Sequence, residues 1–457
     1  MNPTVDHVFR QYDIRGVVGR ELDADFALRL GKSLGTYYRE KGVGCVSLGR
    51  DARLHSPEFA SAMAEGLNST GCDVIDAGMV PTPLLYFTLF RWPVQGGVMV
   101  TGSHNPKDYN GFKICLGKST IYGDEIQKVK DIFISEKFVE GRGTLSRREI
   151  SEEYIDYVSS RLTRGKKSVK VVLDAGNGVG GVVGVPLYEK LGFDVVPLYC
   201  DPDGNFPNHH PDPTVSETLE TLKKAVKAEG ADLGIAYDGD ADRIGCVDAS
   251  GSILWGDQMM VLFSRDILKD RPGSTFVAEV KCSQTLFDDI EAHGGRAIMW
   301  KVGHSLIKAK MKEEDAVLAG EMSGHMFFAD RYFGYDDAIY SGGRLLELLS
   351  RSEDSIETML SDLPVLHSTP EIRVECCEDQ KFEIVREVAE AFRLDYPVVD
   401  IDGVRVNFGD GWGLVRASNT QPVLVMRFEA ESDVSLRRIR QLVEGEIENA
   451  RLRLDQG

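Results

Sequence analysis

Three stretches of this 457-residue sequence repeat one pattern, and the repeat constrains the fold more than any other feature. In each stretch, two strand–helix pairs are followed by a third strand that runs into a loop. The predicted strands cover residues 45–49, 73–75 and 98–100, then 170–173, 194–196 and 233–236, then 275–278, 297–299 and 317–319. Short β-branched strands that alternate with helices predict mostly parallel α/β units. Ligands bind such sheets at the carboxyl ends of the strands, so the three loops are candidate binding sites.

The sequence after about residue 366 has a different pattern. Candidate strands at 371–374, 405–408 and 423–428 precede an amphipathic helix at 433–451, which predicts a smaller α+β domain. Single hydrophobic cores stop growing at roughly 250–300 residues, so a chain of this length is expected to form several domains. We predict α/β domains at residues 1–150, 151–252 and 253–366, and an α+β domain at 367–457.

Composition and charge restrict the possible classes of function. Apolar residues at 42% and charged residues at 27% are typical of a folded soluble chain. The longest apolar run, residues 80–90, contains two prolines and ends at Arg91, so it falls short of the ~20 residues that span a bilayer. A net charge of −19 argues against nucleic acid as a partner. It does not exclude a small anion, which responds to the local field of a cleft.

The N-terminus and the cysteines predict a cytoplasmic protein. The first residues lack the basic and apolar regions of a secretory signal. Eight cysteines are scattered without CxxC spacing, and Cys376 and Cys377 are adjacent. This pattern predicts reduced thiols, as found in the cytoplasm.

The first loop, residues 101–106, has the sequence TGSHNP and directly follows a predicted strand. Its glycine permits a sharp turn and its proline limits helix formation, so we expect Ser103 at an exposed corner. The Ser103 hydroxyl, with His104 beside it, is a candidate nucleophile. The alternative is a turn with a capping serine.

The second loop contains three alternating carboxylates, Asp238, Asp240 and Asp242. Carboxylates this close repel one another unless a hard cation lies among them. A calcium EF-hand is excluded, because Arg243 stands at its glycine position and Ala249 at its glutamate position. Three carboxylates leave coordination positions open, which suits Mg²⁺ held partly by a phosphate oxygen. The alternative is a solvated acidic turn.

Two further loops carry polar side chains suited to a phosphorylated sugar. Residues 320–325 read GEMSGH, and Glu321 is suited to accept hydrogen bonds from two adjacent sugar hydroxyls. Residues 416–420 read RASNT, and Arg416 is suited to bind a phosphate with two parallel hydrogen bonds. Taken alone, each segment is also compatible with a structural turn.

A dinucleotide-binding pattern supports a different class of enzyme. Gly176, Gly178 and Gly181 match GxGxxG after a predicted strand, and Asp201 lies 20 residues beyond Gly181. This pattern would suit an NAD-dependent dehydrogenase. That alternative assigns no role to the serine loop, the aspartate loop or the Arg416 segment.

Taken together, the four loops resemble those of the α-D-phosphohexomutase superfamily, in the same order and over essentially the whole chain. The loop with Met322 and the opening FRQYDIRG, residues 9–16, are most similar to the bacterial phosphomannomutase/phosphoglucomutase branch. Gln421 departs from the pattern, since many relatives have glutamate there. The resemblance implies three related mixed-sheet α/β domains and a C-terminal α+β domain around a central cleft.

The resemblance also implies a reaction. The enzyme would interconvert hexose 1-phosphate and hexose 6-phosphate of mannose and/or glucose. It would act through a phosphoserine at Ser103 and a hexose 1,6-bisphosphate intermediate, with one Mg²⁺ ion. The intermediate must turn around, and we expect the fourth domain to close over it by hinge motion near residues 366–370. A sugar-phosphate sensor on the same scaffold is the alternative. Neither nucleic acid nor membrane is expected as a partner, and the protein is expected to be a monomer or dimer.

Roles for individual residues follow from the resemblance and from their chemistry. The implied catalytic residues are Ser103, His104, Lys113 and Arg243. The implied metal ligands are Ser103, Asp238, Asp240 and Asp242. The implied substrate-binding residues are Tyr12, Arg15, Lys281, His304, Glu321, Ser323, His325, Arg416, Ser418, Asn419 and Thr420.

Overall fold

The structure, a computed structural model, describes residues 7–418 and 422–455. Its strands form four sheets, three of them mixed and the fourth antiparallel. The predicted architecture of three related α/β domains followed by an α+β domain is confirmed. No helix in the described ranges is long and apolar enough to cross a membrane.

The first sheet has seven strands, with β5 antiparallel to its neighbours. They are β1 (Ile14–Val17), β2 (Cys45–Arg50), β3 (Asp73–Met79), β4 (Gly96–Val100), β5 (Tyr109–Leu116), β6 (Ser119–Thr120) and β7 (Leu145–Arg147). Their order is β1-β5-β4-β2-β3-β7, with β6 beside β5. The helices of this region are α1 (Ala24–Glu40), α2 (Ser56–Asn68), α3 (Thr82–Arg91), α4 (Asp124–Ser135) and α5 (Ser151–Ser159).

The second and third sheets repeat the central part of this arrangement. The second contains β8 (Lys170–Asp174), β9 (Asp194–Leu198), β10 (Leu233–Tyr237), β11 (Ile244–Asp248) and β12 (Ile253–Leu254), with helices α6 (Gly181–Lys190) and α7 (Glu220–Glu229). The third contains β13 (Thr275–Glu279), β14 (Arg296–Trp300), β15 (Leu318–Gly320) and β16 (Met326–Phe328). Its helices are α8 (Gly256–Asp270), α9 (Gln284–Ala292), α10 (His304–Glu313), α11 (Ala338–Arg351) and α12 (Ile356–Met359).

In all three sheets the strand that enters the functional loop is followed by an antiparallel strand. The serine loop lies between β4 and β5, the aspartate loop between β10 and β11, and the loop at 320–325 between β15 and β16. The mixed sheets that the resemblance implied are confirmed, while the strand pattern alone, which predicted mostly parallel units, did not show these returning strands. Each functional loop is the connection of a hairpin at the sheet edge where the parallel strands end.

The fourth sheet is antiparallel. It contains β17 (His367–Ser368), β18 (Ile372–Glu375), β19 (Val398–Val399), β20 (Val404–Asn407), β21 (Gly411–Ala417) and β22 (Val423–Ala430). Helices α13 (Lys381–Phe392) and α14 (Asp433–Asp455) pack against it.

Apolar packing joins the first three domains more closely than the fourth. One buried cluster includes Phe87 of α3, Leu173 of β8, Phe263 of α8 and Tyr340 of α11. The fourth domain has a core of its own, and a small cluster around Trp412 joins it to the third domain. This shared cluster packs the first three domains against one another, while the strands on either side of the serine loop also belong to a separate core of the first domain.

Candidate active site

The serine loop places Ser103 in a buried position rather than at the exposed corner that the sequence suggested. Ser103 is 3% exposed and has a φ of 48°, in the left-handed region. Its Oγ donates a hydrogen bond to Asp238 Oδ2 at 2.7 Å and lies 3.1 Å from His104 Nδ1. The expectation of exposure was wrong because the second domain covers the loop. A Cβ atom at Gly239 would lie 2.6 Å from the Ser103 carbonyl oxygen.

Arg53 contacts the backbone of the serine loop. The sequence analysis did not identify this residue. Its side chain is buried, and its guanidinium donates to four carbonyl oxygens of the loop and the start of β5. The acceptors are Ser103 at 2.8 Å, Asn105 at 2.5 Å, Pro106 at 2.5 Å and Tyr109 at 2.9 Å. No motif or periodicity signals a buried arginine, so only the folded structure reveals this contact.

The aspartate loop brings three buried carboxylates together. Oxygen atoms of Asp238, Asp240 and Asp242 lie within 4.8 Å of one another. Among the described residues, nothing donates a hydrogen bond to Asp240 Oδ1 or Asp242 Oδ1. Burial, followed by the charges of Asp240 and Asp242, raises the pKa of Asp238 well above its usual value. Unpaired buried oxygens of this kind fit a divalent cation with oxygen ligands.

Lys113 is the cation that the structure places beside these carboxylates. It lies on β5, and its Nζ is 2.7 Å from Asp240 Oδ2 and also contacts Asp242. Burial would lower the pKa of Lys113, but the two carboxylates more than offset this effect and raise it. Lys113 is therefore a charged donor at neutral pH.

His104 has the opposite electrostatic environment. Burial, followed by the charges of Arg243 and Arg15, lowers the pKa of His104 well below its usual value. A neutral imidazole beside the Ser103 hydroxyl has a lone pair that can accept a proton. Of the two predicted acid–base residues, His104 has the better geometry for a base.

The loop at 320–325 lies against the aspartate loop. The Ile244 amide donates to the Gly324 carbonyl at 3.1 Å. Glu321 Oε1 accepts a hydrogen bond from the Gly303 amide at 2.6 Å, and Ser323 is half-buried. This packing brings Glu321 to the start of α10, where His304 is the first residue.

The remaining basic candidates come from three domains. Arg243 Nε donates to His325 Nε2 at 3.0 Å, and the rings of His304 and His325 are stacked with centroids 5.6 Å apart. Lys281 Nζ lies 3.1 Å from Glu371 of the fourth domain. Arg15 of β1 contacts Asp13.

Tyr12 connects the first domain to the third. Its hydroxyl donates to the Val302 carbonyl at 3.2 Å. Gly303 has a φ of 128°, and a Cβ atom there would lie 2.8 Å from the Tyr12 ring. Glycine is therefore required at this crossing of the two domains.

Arg416 lies near the end of β21, where its guanidinium pairs with Asp402 at 3.1 Å. Asp402 also accepts a hydrogen bond from the Val302 amide at 2.9 Å, which links the fourth domain to the third. Ser418 is buried. Asn419, Thr420 and Gln421 lie outside the described residues.

The dinucleotide-binding motif has a structural role. A Cβ atom at Gly178 would lie 2.6 Å from the Gly239 carbonyl oxygen, and one at Gly181 would lie 2.6 Å from that of Cys200. Protein backbone thus fills the space next to these glycines that a pyrophosphate would need. The dehydrogenase alternative is wrong, and the glycines support the aspartate loop.

Comparisons with known proteins agree with this geometry. Four family models described as phosphoglucomutase/phosphomannomutase alpha/beta/alpha domains I, II and III and the C-terminal domain match residues 6–140, 152–251, 255–366 and 371–445. A phosphomannomutase/phosphoglucomutase from Pseudomonas aeruginosa is 48% identical over 95% of this chain and 94% of its own. A Neisseria gonorrhoeae phosphoglucomutase is 44% identical over 97% of both chains. The crystal structure of a phosphoglucomutase/phosphomannomutase family protein from Burkholderia thailandensis superposes with a TM-score of 0.93 at 42% identity, over 97% of this chain and 98% of that one.

Proposed function

The chain belongs to the phosphoglucomutase/phosphomannomutase family, and from this premise we propose that Ser103 carries the phosphoryl group in a phosphohexomutase reaction. The substrates are hexose 1-phosphate and hexose 6-phosphate, of mannose and/or glucose. The observation that carries the proposal is the position of Ser103 Oγ, within hydrogen-bond distance of both Asp238 and His104. A hydroxyl held between a carboxylate and a neutral imidazole is suited to exchange a phosphoryl group.

In the first half of the reaction, the phosphoryl group on Ser103 passes to a free hydroxyl of the sugar. The new P–O bond forms to the sugar as the bond to Ser103 Oγ breaks, which gives a 1,6-bisphosphate. The proton of the attacking hydroxyl goes to a base, for which the neutral His104 ring is suited, and the departing Ser103 Oγ takes up a proton from the same ring. Transfer in the second half returns the other phosphoryl group to Ser103.

The charge on a phosphoserine is about −1.5 to −2, so this site needs a strong positive field. A Mg²⁺ ion bound by Asp238, Asp240 and Asp242 would neutralise that charge and polarise the transferring group. Lys113 holds two of these carboxylates in place. Arg243 lies next to the same loop and adds a further positive charge.

The other cleft residues hold the substrate. Glu321 and Ser323 are placed to accept and donate hydrogen bonds with sugar hydroxyls. Arg416, with the predicted residues that follow it, is suited to bind the phosphate that is not reacting. Because either end of the bisphosphate must reach Ser103, these contacts must be compatible with both orientations of the sugar.

Substitution of the carrier tests the proposal. Ser103→Ala should lose nearly all turnover of mannose 1-phosphate and glucose 1-phosphate while it still binds them. Intact mass should show an adduct of about 80 Da on the wild type and none on the variant. Ser250→Ala, in an exposed turn of the second domain, is the control and should be fully active. Near-normal turnover by Ser103→Ala would refute a covalent carrier at this position.

A further inference from the structure

Asp336 lies in the segment between β16 and α11, outside all four predicted loops, and its side chain is fully buried. Its Oδ1 accepts a hydrogen bond from Lys308 Nζ at 3.0 Å. Its Oδ2 lies 3.2 Å from His325 Nδ1 and 3.7 Å from His304 Nδ1. We propose that Asp336 is a positioning residue that fixes the tautomer and ring orientation of His325.

Arg243 determines which nitrogen of His325 carries the proton. The Nε of an arginine can only donate, so His325 Nε2, at 3.0 Å, must present its lone pair. The proton of the neutral ring is therefore on Nδ1, the atom that faces Asp336. Arginine on one side and carboxylate on the other specify a single tautomer.

A second carboxylate competes for the same proton. Asp242 Oδ1 lies 3.7 Å from His325 Nδ1, against 3.2 Å for Asp336. Within the described part of the chain, neither Asp242 Oδ1 nor Asp336 Oδ2 has a hydrogen-bond partner by geometry. Asp336 is the nearer of the two carboxylates, so the Nδ1 proton is attracted towards Asp336 more strongly than towards the aspartate loop.

Lys308 fixes the direction of the Asp336 carboxylate. Its ammonium donates a hydrogen bond to Oδ1, so Oδ2 is the oxygen that faces the histidines. The same ammonium lies 4.5 Å from the centre of the Tyr86 ring. Burial would raise the pKa of Asp336, but Lys308 and His325 lower it well below its usual value. The carboxylate is therefore an ionised acceptor, the partner that orients an imidazole most strongly.

Asp336→Asn keeps nearly the same side-chain volume but gives His325 two hydrogen-bond donors that require incompatible tautomers. Lys308 requires an acceptor, so the asparagine carbonyl must face it and the amide NH₂ must face His325. That amide can only donate, so Nδ1 would have to present a lone pair while Arg243 demands one from Nε2. A neutral imidazole has one lone pair on nitrogen and cannot satisfy both. The contact between Arg243 and His325 should break.

The tautomer is measured by long-range ¹H–¹⁵N NMR of protein labelled at its nine histidines. The signals of His325 are assigned as those that disappear in His325→Gln. The wild type should show His325 protonated at Nδ1, and Asp336→Asn should not. The variant should lose about 10–100-fold in kcat, the range of loss in metal affinity or activity that follows removal of the partner of a metal-ligating histidine. KM should change less than about threefold, and Asp336→Glu, which keeps the carboxylate, should recover part of the loss.

The neighbouring residue provides a matched control. Asp337 is equally buried, but its carboxylate accepts from the hydroxyls of Tyr154 and Tyr332 and from the Tyr340 amide. Asp337→Asn removes the same charge one position away and should leave the His325 signals and kcat unchanged.

A folded Asp336→Asn with the wild-type tautomer and kcat would overturn the proposal. If that variant does not fold, Lys308→Met provides a second test, because the carboxylate then loses its anchor. It should lower both kcat and the population protonated at Nδ1, and wild-type values for both would also overturn the proposal.

Discussion

At the scale of single residues, Arg53 determines the shape of the serine loop. Its guanidinium meets four carbonyl oxygens, and a Cβ atom at Gly102 would lie 2.4 Å from it. An unpaired buried carbonyl costs about 1–3 kcal/mol, so these contacts are a large part of what holds Ser103 at a positive φ. Because Arg53 contacts the backbone that carries Ser103, we expect it to affect catalysis by positioning that backbone.

Arg53→Lys should therefore impair turnover although the charge is kept. An ammonium carries three donors on one atom and cannot meet four carbonyls in the plane of a guanidinium. We expect kcat to fall by at least about tenfold, because small displacements of a reacting group can cost about 10²-fold. The melting temperature should also decrease. Arg147→Lys, a highly exposed arginine of the same domain, is the control. Wild-type kcat in Arg53→Lys would show that the loop holds its shape without the guanidinium.

Single residues differ in how far the sequence predicts them. The proximity of Asp238, Asp240 and Asp242 was predictable because they alternate within five residues, and their role as metal ligands stays a prediction. Ser103 was predicted as a nucleophile, but its burial was not, because burial depends on contact with another domain. Arg53 and Asp336 have no local signal at all. Their roles arise where segments far apart in the sequence meet.

At the scale of elements, the aspartate loop between β10 and β11 is expected to make turnover depend on a divalent cation. Excess chelator should abolish activity and Mg²⁺ should restore it. Asp240→Asn should raise the Mg²⁺ concentration for half-maximal rate by at least about tenfold, because an amide is a weaker ligand and disturbs the contact with Lys113. Both are measured by titration of Mg²⁺ into metal-depleted enzyme.

The control for this loop is Asp201→Asn. Asp201 is exposed, and it is the acidic residue of the dinucleotide-binding pattern. Its substitution should change neither turnover nor the Mg²⁺ requirement. Full activity of the wild type in excess chelator would contradict a metal site at the aspartate loop.

The elements themselves were partly predictable. Parallel strands such as β2, β8 and β13 are apolar runs with a clear signal. The antiparallel strands β5, β11 and β16 were missed because each follows its loop directly, without a helix between. Lys113 lies on one of them, so its position beside the aspartates followed from strand pairing that the sequence pattern did not show.

At the scale of the whole molecule, the fourth domain is docked on the third through the apolar cluster around Trp412 and through polar contacts. Arg405 Nη1 donates to the carbonyls of Val280 at 2.6 Å and Cys282 at 2.8 Å, and its guanidinium stacks on Trp412. The expected hinge at 366–370 stays a prediction, and strand pairing narrows the part of this segment that is free to rotate. His367 and Ser368 already pair with β22, so rotation must occur before them.

Asp402 takes part both in the contact between the third and fourth domains and in the position of Arg416 in the cleft. It pairs with Arg416 and accepts from the Val302 amide, so it holds the guanidinium between two domains. A phosphate that enters the cleft offers Arg416 a bidentate partner of higher charge than one carboxylate. We expect Arg416 to move from Asp402 towards the phosphate as the domain closes, a motion that excludes water during transfer.

Arg416→Ala should remove this closing interaction and leave the resting docking intact, because the contacts of Arg405 do not involve it. KM for both hexose phosphates should rise markedly, and small-angle scattering should show less compaction on substrate binding than in the wild type. Without substrate, the two proteins should have the same radius of gyration. Arg437→Ala, an exposed arginine of α14, should behave as the wild type in every measurement. Equal KM and equal compaction in Arg416→Ala and the wild type would mean that Arg416 has no part in closure.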